Sequence, residues 1–390
     1  MTNSEVRKDA TGWWAVASAA LDVRGVNLFD GGPEIILVPA IPSEPLSLLG
    51  SGAVLWRRLV DDGPLNPAQL EAGDEEILSA MAGMGIAALG PPPPFRVQEL
   101  NPPTLSSPLH EMVYAVVARV AEDQGIRCVF VKGPVLHFQG LRDREHSGDV
   151  DVWCDPQRWE DLVAALGPWG WDRVADPWEG TTVNHSATLV PKSWGCEVDV
   201  HRRMPGLTLE DDAAFEQLWA HPDEARFAGQ VVRTPSRPMH AVISAVHSVR
   251  PELGRPHPSP LASAAARDLL RLTPGSVDCA KAIGAVPALR VELSSVADED
   301  ALRGYNGGTP RDWSWRGKPD RVRAYLAAMT DMSVHQRIHL LWRLFWPTPA
   351  VARESARRAG HQVHTLTGAR VRRIGRALGA WLRITVSCSR

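Results

Sequence analysis

The chain has no run of about 18 apolar residues, the length needed to cross a bilayer as a helix. Its N-terminus, MTNSEVRKDATGWW, places no apolar stretch behind its basic residues, so it does not read as a secretory signal. The cytoplasm is the expected address. Cysteine is sparse and scattered (Cys128, Cys154, Cys196, Cys279 and Cys388), with no CxxC and no metal-ligand spacing. That excludes a disulfide framework and a thiolate zinc site, and leaves free thiols. Cys154 and Cys196 lie near acidic motifs, but no His–Asn/Asp arrangement accompanies them, which disfavours a catalytic thiol. Tyr is also scarce, three against fifteen Trp, while 32 Pro and 32 Gly imply many turns. None of these biases names a function.

What is present is ordinary in bulk. At 44% hydrophobic and 22% charged residues, the 390-residue chain is globular, and its length calls for two or three domains. The net charge of −3 hides an asymmetry. Residues 351–390 hold nine Arg and a single acid, Glu354, so the last forty residues carry +8 and the first 350 carry −11. An acidic body with a basic tail suggests either a tail packed on its own body, the favoured reading, or an RNA or anionic membrane partner. In that tail Val371, Ile374, Leu378 and Trp381 follow helical spacing, with Arg370, Arg372, Arg373 and Arg376 between them.

The first ninety residues pattern as a small α/β unit. Val26–Phe29 and Glu34–Val38 flank Asp30-Gly31-Gly32-Pro33, a hairpin signal. Ala53, Leu55, Trp56, Leu59 and Val60 share a helical face, and Leu65-Asn66-Pro67 opens a second short helix. Ile77, Leu78, Met81 and Met84 form a third apolar stripe, with a closing strand after it. This winged-helix-like order resembles the PqqD-like domains, which grip leader peptides of ribosomally made, modified peptides. The resemblance rests on DGGPEIILVP, LLGSGAVLWRRLVDDGPLNPAQL and GMGIAAL, and implies that a peptide would add as a strand to a sheet edge. Gly90-Pro91-Pro92-Pro93-Pro94 and Asn101-Pro102-Pro103 then mark a stiff linker.

Downstream, Glu111–Gln124 has helical period, Cys128–Val131 reads as a buried strand and Trp159–Leu166 as a helix. Asp149–Cys154 and Glu197–His201 alternate with strand period. From about Ala241 the patterns are helical: Ala241–Val249, Ser263–Leu272, Arg321–Met329 and Val334–Phe345. Arg267-Asp268 is expected as an ion pair, with a nucleotide contact as the other reading. His185, His240 and His247 lack ligand spacing.

The chemistry gathers around aspartates. Asp149 and Asp151, spaced i, i+2 on a strand, put two carboxylates on one face, where they repel unless a cation sits between them. A hard divalent metal relieves that repulsion, and Asp199, between Val198 and Val200, is the expected third carboxylate, with Glu197 on the same face as its rival. His201 shares that face.

The pattern Lys132-Gly133, then Gly148-Asp149-Val150-Asp151, then Asp199-Val200-His201 resembles the DNA polymerase β-type nucleotidyltransferase superfamily, and within it a bacterial branch with a "KG…GDxD…xDxH" signature. The likeness covers about residues 109–290. It implies that Gly133 and Lys132 contact phosphate, that Asp149 and Asp151 hold metal, and that Asp199 helps activate the attacking hydroxyl. Arg144, Ser147 and His201 join the expected nucleotide contacts. Three features depart from the superfamily: Lys132-Gly133 stands where a Gly-Ser pair is usual, the fifteen residues between Gly133 and Asp149 are slightly long, and Glu145 stands where an Arg is common, with Arg144 one place earlier.

The expected fold is α/β (α+β): a PqqD-like winged-helix domain (1–90), a Pro-rich linker (91–108), a nucleotidyltransferase domain with a minimal mixed sheet (109–235), a helical domain (236–350) and a basic C-terminal helix or tail (351–390). The expected function is Mg²⁺- or Mn²⁺-dependent transfer of an NMP from an NTP, with ATP the expected donor, to an acceptor hydroxyl. That acceptor would sit on a peptide bound through residues 1–90. The alternatives are a catalytically idle nucleotide- or peptide-binding regulator and an RNA-modifying or RNA-binding protein.

Overall fold

In a computed structural model the structure describes residues 11–26, 32–305, 308–310, 312–330, 332–360 and 365–387. It is a mixed α/β chain that divides into two compact units. The first comprises Met1–Asp172, Leu189–Val200 and His221–Pro235, and the second Arg173–Thr188, His201–Ala220 and Ser236–Arg390.

The first unit begins with β1 (Gly12–Ala15), β2 (Ala19–Asp22), β3 (Ile35–Val38) and β4 (Leu46–Leu48). Helices α1 (Gly50–Asp61) and α2 (Asp74–Gly83) follow, and β5 (Ala87–Gly90) closes the segment by pairing antiparallel with β1. β2, β3 and β4 form an antiparallel sheet in that order. The expected hairpin is therefore shifted: the partner of β3 is Ala19–Asp22, Val26 is irregular, and Asn27–Phe29 with Asp30-Gly31 lie outside the described residues. A one-turn 3-10 segment, Pro67–Gln69, takes the place of the second helix, started by an Asn66 capping box. Ala53, Leu55, Trp56 and Leu59 bury one face of α1 against Ile35, Leu37, Leu78 and Met81. Each such fully buried large side chain contributes about 1.5–3 kcal/mol. The Trp56 indole donates to the Ile86 carbonyl at 2.8 Å, satisfying its one polar atom inside that core.

The Pro-rich stretch after β5 is pinned in place. Ala17 N donates to Phe95 O (3.0 Å) and Val97 N to Ala15 O (2.9 Å), while the Arg119 guanidinium lies 4.2 Å over the Phe95 ring. It leads into α3 (Pro108–Asp123), capped by Ser107 and buried along most of its length. Then come β6 (Cys128–Val131), α4 (Gly133–Phe138), β7 (Asp149–Cys154), α5 (Trp159–Leu166), β8 (Trp171–Arg173), β9 (Ser186–Pro191) and β10 (Glu197–His201). The sheet order is β6-β7-β10-β9-β8, which seats β7 and β10 side by side at its middle. A hairpin, β11 (Pro222–Phe227) and β12 (Gln230–Pro235), turns at Ala228-Gly229, both with positive φ.

One carboxylate ties these parts together. Glu111, buried in the first turn of α3, accepts from Thr104 N (2.7 Å), Leu105 N (2.8 Å) and Ala228 N (2.8 Å). Ala228 O in turn accepts from Ala20 N of β2 at 3.2 Å. The linker, the hairpin turn and the N-terminal sheet thus meet at one acid.

The second unit is helical after α6 (Asp211–Trp219). It runs through α7 (Arg237–Val249), α8 (Pro260–Arg271), α9 (Ser276–Ala282), α10 (Arg290–Leu293), α11 (Trp313–Arg316), α12 (Arg321–Met329), α13 (Val334–Phe345), α14 (Pro349–Arg358) and α15 (Leu366–Ser387). Met329, Met332 and Leu340 pack with Trp178 and Tyr325 in a small core. Arg203 bonds Asp312 through two nitrogens, at 2.5 and 2.7 Å, with Asp312 buried and Arg203 partly buried. The expected Arg267–Asp268 pair is replaced. Asp268 faces Arg271 (3.9 Å, i, i+3) and Arg267 Nε donates to Ser263 O, because adjacent helical residues point apart.

Glu111→Ala strands three backbone donors and should cost about 3 kcal/mol or more, with cooperative unfolding retained. Urea denaturation followed by tryptophan fluorescence measures this. A cost below about 1 kcal/mol would remove Glu111 from its joining role.

Candidate active site

The site is built where β6 ends. Its last residue, Val131, sits in register with Asp151 on the antiparallel neighbour β7. The chain then turns through Lys132 (φ 62°, ψ −155°) and Gly133 (φ 52°) into α4. Both conformations are ones that side-chain-bearing residues rarely adopt, and the strain at Lys132 is of order 1–3 kcal/mol. Gly133 is needed for space as well: a Cβ there would stand 2.5 Å from the Tyr114 hydroxyl and 3.0 Å from Ser147 Oγ. This turn delivers the Lys132 ammonium to Asp151, Nζ to Oδ1 at 2.5 Å, with the aspartate 5% exposed.

On β7 the apolar Val150, Val152 and Cys154 are wholly buried, which sends Asp149 and Asp151 to the other face. On β10 Val198 and Val200 do the same for Asp199 and His201. Ligand atoms of Asp151, Asp199 and His201 lie within 4.8 Å of one another. Glu197, the rival carboxylate, is exposed at the start of β10 and outside that group. Asp149 stands at the start of β7, half-buried; burial and the charges of Asp151 and Asp199 raise its pKa, against a smaller pull from Lys132. Asp199 Oδ1 is buried without a hydrogen-bond partner, an arrangement that is costly unless a cation or proton meets it. The residues present therefore fit a divalent cation. Asp149 is not among the three grouped ligands, so the grouped donors are two carboxylates and one imidazole, a mixed oxygen and nitrogen set; the all-oxygen set expected for Mg²⁺ would need Asp149 in place of His201.

The other expected contacts are placed as follows. Ser147 is buried against Gly133 and donates to Asp149 O (2.8 Å), holding the loop before β7. Arg144 is exposed, and Glu145 accepts from Ser106 N and Oγ (2.9 and 2.6 Å), an anchoring use of that position. Sequence reasoning missed Arg142, which bonds the His146 carbonyl and whose pKa is lowered by burial and by the neighbouring Arg144 charge. It also missed Tyr114, whose hydroxyl is pushed well up by burial and by Asp151 and Asp149. His185 stacks obliquely near His201 (6.0 Å between centroids), and burial followed by the His201 charge holds its pKa well down. His240 is fully buried in α7 and pushed down to about 3, as a core histidine is. Cys128 and Cys196 are pushed up to about 12 and Cys154 higher still, all chiefly by burial, so these thiols stay protonated. Cys388 lies outside the described residues.

Because the folded pKa of Asp149 lies above the ordinary 3.8, the folded state holds that proton more tightly. The associated stability is full below 3.8 and lost as pH rises through the raised value. A bound cation removes this penalty. In differential scanning fluorimetry, Mn²⁺ should raise Tm more at pH 7 than at pH 4, and Asp149→Asn should raise the metal-free Tm at pH 7. An identical Mn²⁺ shift in wild type, Asp149→Asn and Asp151→Asn would show that no cation binds there.

Residues 112–256, somewhat over a third of the chain, match a family described as "Uncharacterised nucleotidyltransferase". No curated protein matches the chain. Among solved structures, a lincosamide antibiotic adenylyltransferase, LnuA, with lincomycin bound is similar at 18% identity and TM-score 0.27, covering 42% of this chain and 96% of that one. An antigenic nucleotidyltransferase-like protein from Paracoccidioides brasiliensis is similar at 15% identity and TM-score 0.27, covering 46% and 94%. MenT4, a nucleotidyltransferase toxin from Mycobacterium tuberculosis H37Rv, is similar at 17% identity and TM-score 0.22, covering 67% and 96%. Superpositions of that size carry no weight for substrate. The family match supports an enzyme of the nucleotidyltransferase class.

Proposed function

We propose that the protein transfers an NMP from an NTP, with ATP the expected donor, to an acceptor hydroxyl, using Mg²⁺ or Mn²⁺ held by Asp149, Asp151 and Asp199. The observation that carries this reading is the meeting of Asp151 and Asp199, on neighbouring strands, beside the Lys132-Gly133 turn within the matched segment. A bound divalent metal supplies charge neutralisation and lowers the pKa of an attacking hydroxyl. Gly133, with no side chain, leaves its backbone open to phosphate, and Lys132 adds a point charge when it releases Asp151. Asp199, with one buried oxygen lacking a hydrogen-bond partner, is the base for the acceptor proton. The acceptor oxygen bonds the α-phosphorus as the bond to pyrophosphate breaks. Most of the gain comes from placement, because such transfers need little covalent help.

The acceptor is proposed to be a side chain of a ribosomally made peptide. Among the described residues strand β4 ends its sheet with one edge unpaired by another strand, and Leu49 (64% exposed) and Val54 (56% exposed) offer apolar contacts beside it. A peptide added there would be tethered, raising its effective concentration at the site. Arg144, Ser147 and His201 complete the proposed nucleotide surroundings, Ser147 by holding the loop. The idle-regulator reading draws support from one contact, the close Lys132–Asp151 pair, in which a lysine takes up charge that a metal would otherwise meet.

The readout that separates the two is pyrophosphate release from each NTP with Mn²⁺, combined with mass spectrometry of a candidate precursor peptide. The proposal expects one NMP added per peptide, with Asp151→Asn reducing the rate more than about 100-fold, since even outer partners of a metal site cost about 10–100-fold. Nucleotide binding without turnover, unchanged in Lys132→Met, would favour the idle regulator. Turnover only on RNA would move the acceptor to nucleic acid.

A further inference from the structure

Helix α13 has two apolar faces, and only one of them is used. Leu340 is 1% exposed in the small core with Met329 and Met332, and Leu344 packs partly against it. Arg337 and Arg343 fix the helix through backbone carbonyls, Arg337 to Met332 O and Thr330 O, Arg343 to Glu179 O. On the other side stand Val334 (69% exposed), Ile338 (63%), Leu341 (40%), Trp342 (65%) and Phe345 (60%). At about 100° per residue these five fall in one stripe roughly 100° wide. Trp346 (45% exposed) follows immediately. A stripe of that kind on a helix that is otherwise anchored is a surface for something else.

Charge identifies the partner. From Val334 to Arg390 the sequence carries eleven Arg and one acid, Glu354. Arg370 lies 4.8 Å over the Trp346 ring at the end of the stripe and donates to Pro347 O, bringing α15 beside it. Arg372 and Arg373 continue that helix, and Val371 next to them is 59% exposed. A second copy would set this cationic region against itself. RNA binding relies on aromatic rings that stack on bases, whereas here Val334, Ile338 and Leu341 interleave with the rings in one continuous apolar stripe. An anionic bilayer surface matches both properties: acyl chains for the stripe, lipid phosphates for the Arg residues, and Trp342 and Trp346 at the boundary. Among the described residues no helix is long and apolar enough to cross a membrane, so the fit is to lying on the surface.

We propose that α13, with the basic α14–α15 segment, docks the protein on anionic lipid. The full chain should co-sediment with vesicles of 30% phosphatidylglycerol in phosphatidylcholine and not with pure phosphatidylcholine vesicles. Binding should weaken with added salt. Ile338→Glu with Phe345→Glu should weaken it at least tenfold while leaving Tm and pyrophosphate release unchanged. A conservative control, Ile338→Leu, should bind as wild type does. Failure of the folded wild-type chain to bind the anionic vesicles overturns the proposal. So does binding that survives the double Glu variant, or a stripe whose loss abolishes self-association or RNA binding instead.

Discussion

Two carboxylates, Asp151 and Asp199, meet beside one ammonium, Lys132, on neighbouring strands of a five-stranded sheet, with Asp149 two residues before Asp151 on the same strand. Asp151 is nearly buried and paired to Lys132 at 2.5 Å, and Asp199 is near enough to share a cation with it. In a region of low dielectric, carboxylates brought this close repel one another unless a cation lies between them. Asp149 registers this directly, its pKa raised by burial and by both neighbours. The strained backbone at Lys132, the bare Cα of Gly133 and the buried Ser147 behind it are what the fold spends to keep the ammonium and the acids together.

Support for that arrangement is distributed. Val150, Val152 and Cys154 of β7 and Val198 and Val200 of β10 take one face of each strand, so alternation alone sends the aspartates to the other. Glu111 fastens α3, whose Tyr114 backs the Lys132-Gly133 turn, to the linker and the β11–β12 hairpin. Through Ala228 and Ala20 the N-terminal sheet joins the same network. A proline-rich connection whose backbone bonds β1 and the turn before β2 is a strut rather than a free tether.

The parts of this structure legible in the sequence are those where period and chemistry agree. Strands β6, β7 and β10 and helices α5, α12 and α13 have the bounds their patterns predict, because apolar residues there alternate or recur without interruption. Strands β1 and β2 were not legible: GWWA and AALD are short, Ala- and Gly-rich and lack alternation, so pairing rather than propensity makes them strands. The β11–β12 hairpin hid because its turn places an alanine, Ala228, at positive φ, where Gly or Asn would have signalled it. Asp151 and Asp199 could be named from spacing; Tyr114 could not, since it lies among the core positions of α3 and only the fold brings its hydroxyl to Gly133. Arg142 was likewise masked by a loop rich in Arg and acids.

The central claim is that a divalent cation and a nucleotide meet at these carboxylates. Isothermal titration of the full chain with a non-hydrolysable ATP analogue, with and without Mn²⁺, tests it most directly. The account predicts that Mn²⁺ tightens analogue binding at least about tenfold, a coupling of about 1.4 kcal/mol, and that Asp151→Asn removes the coupling. Equal affinity with and without Mn²⁺ in the folded wild-type protein would contradict it.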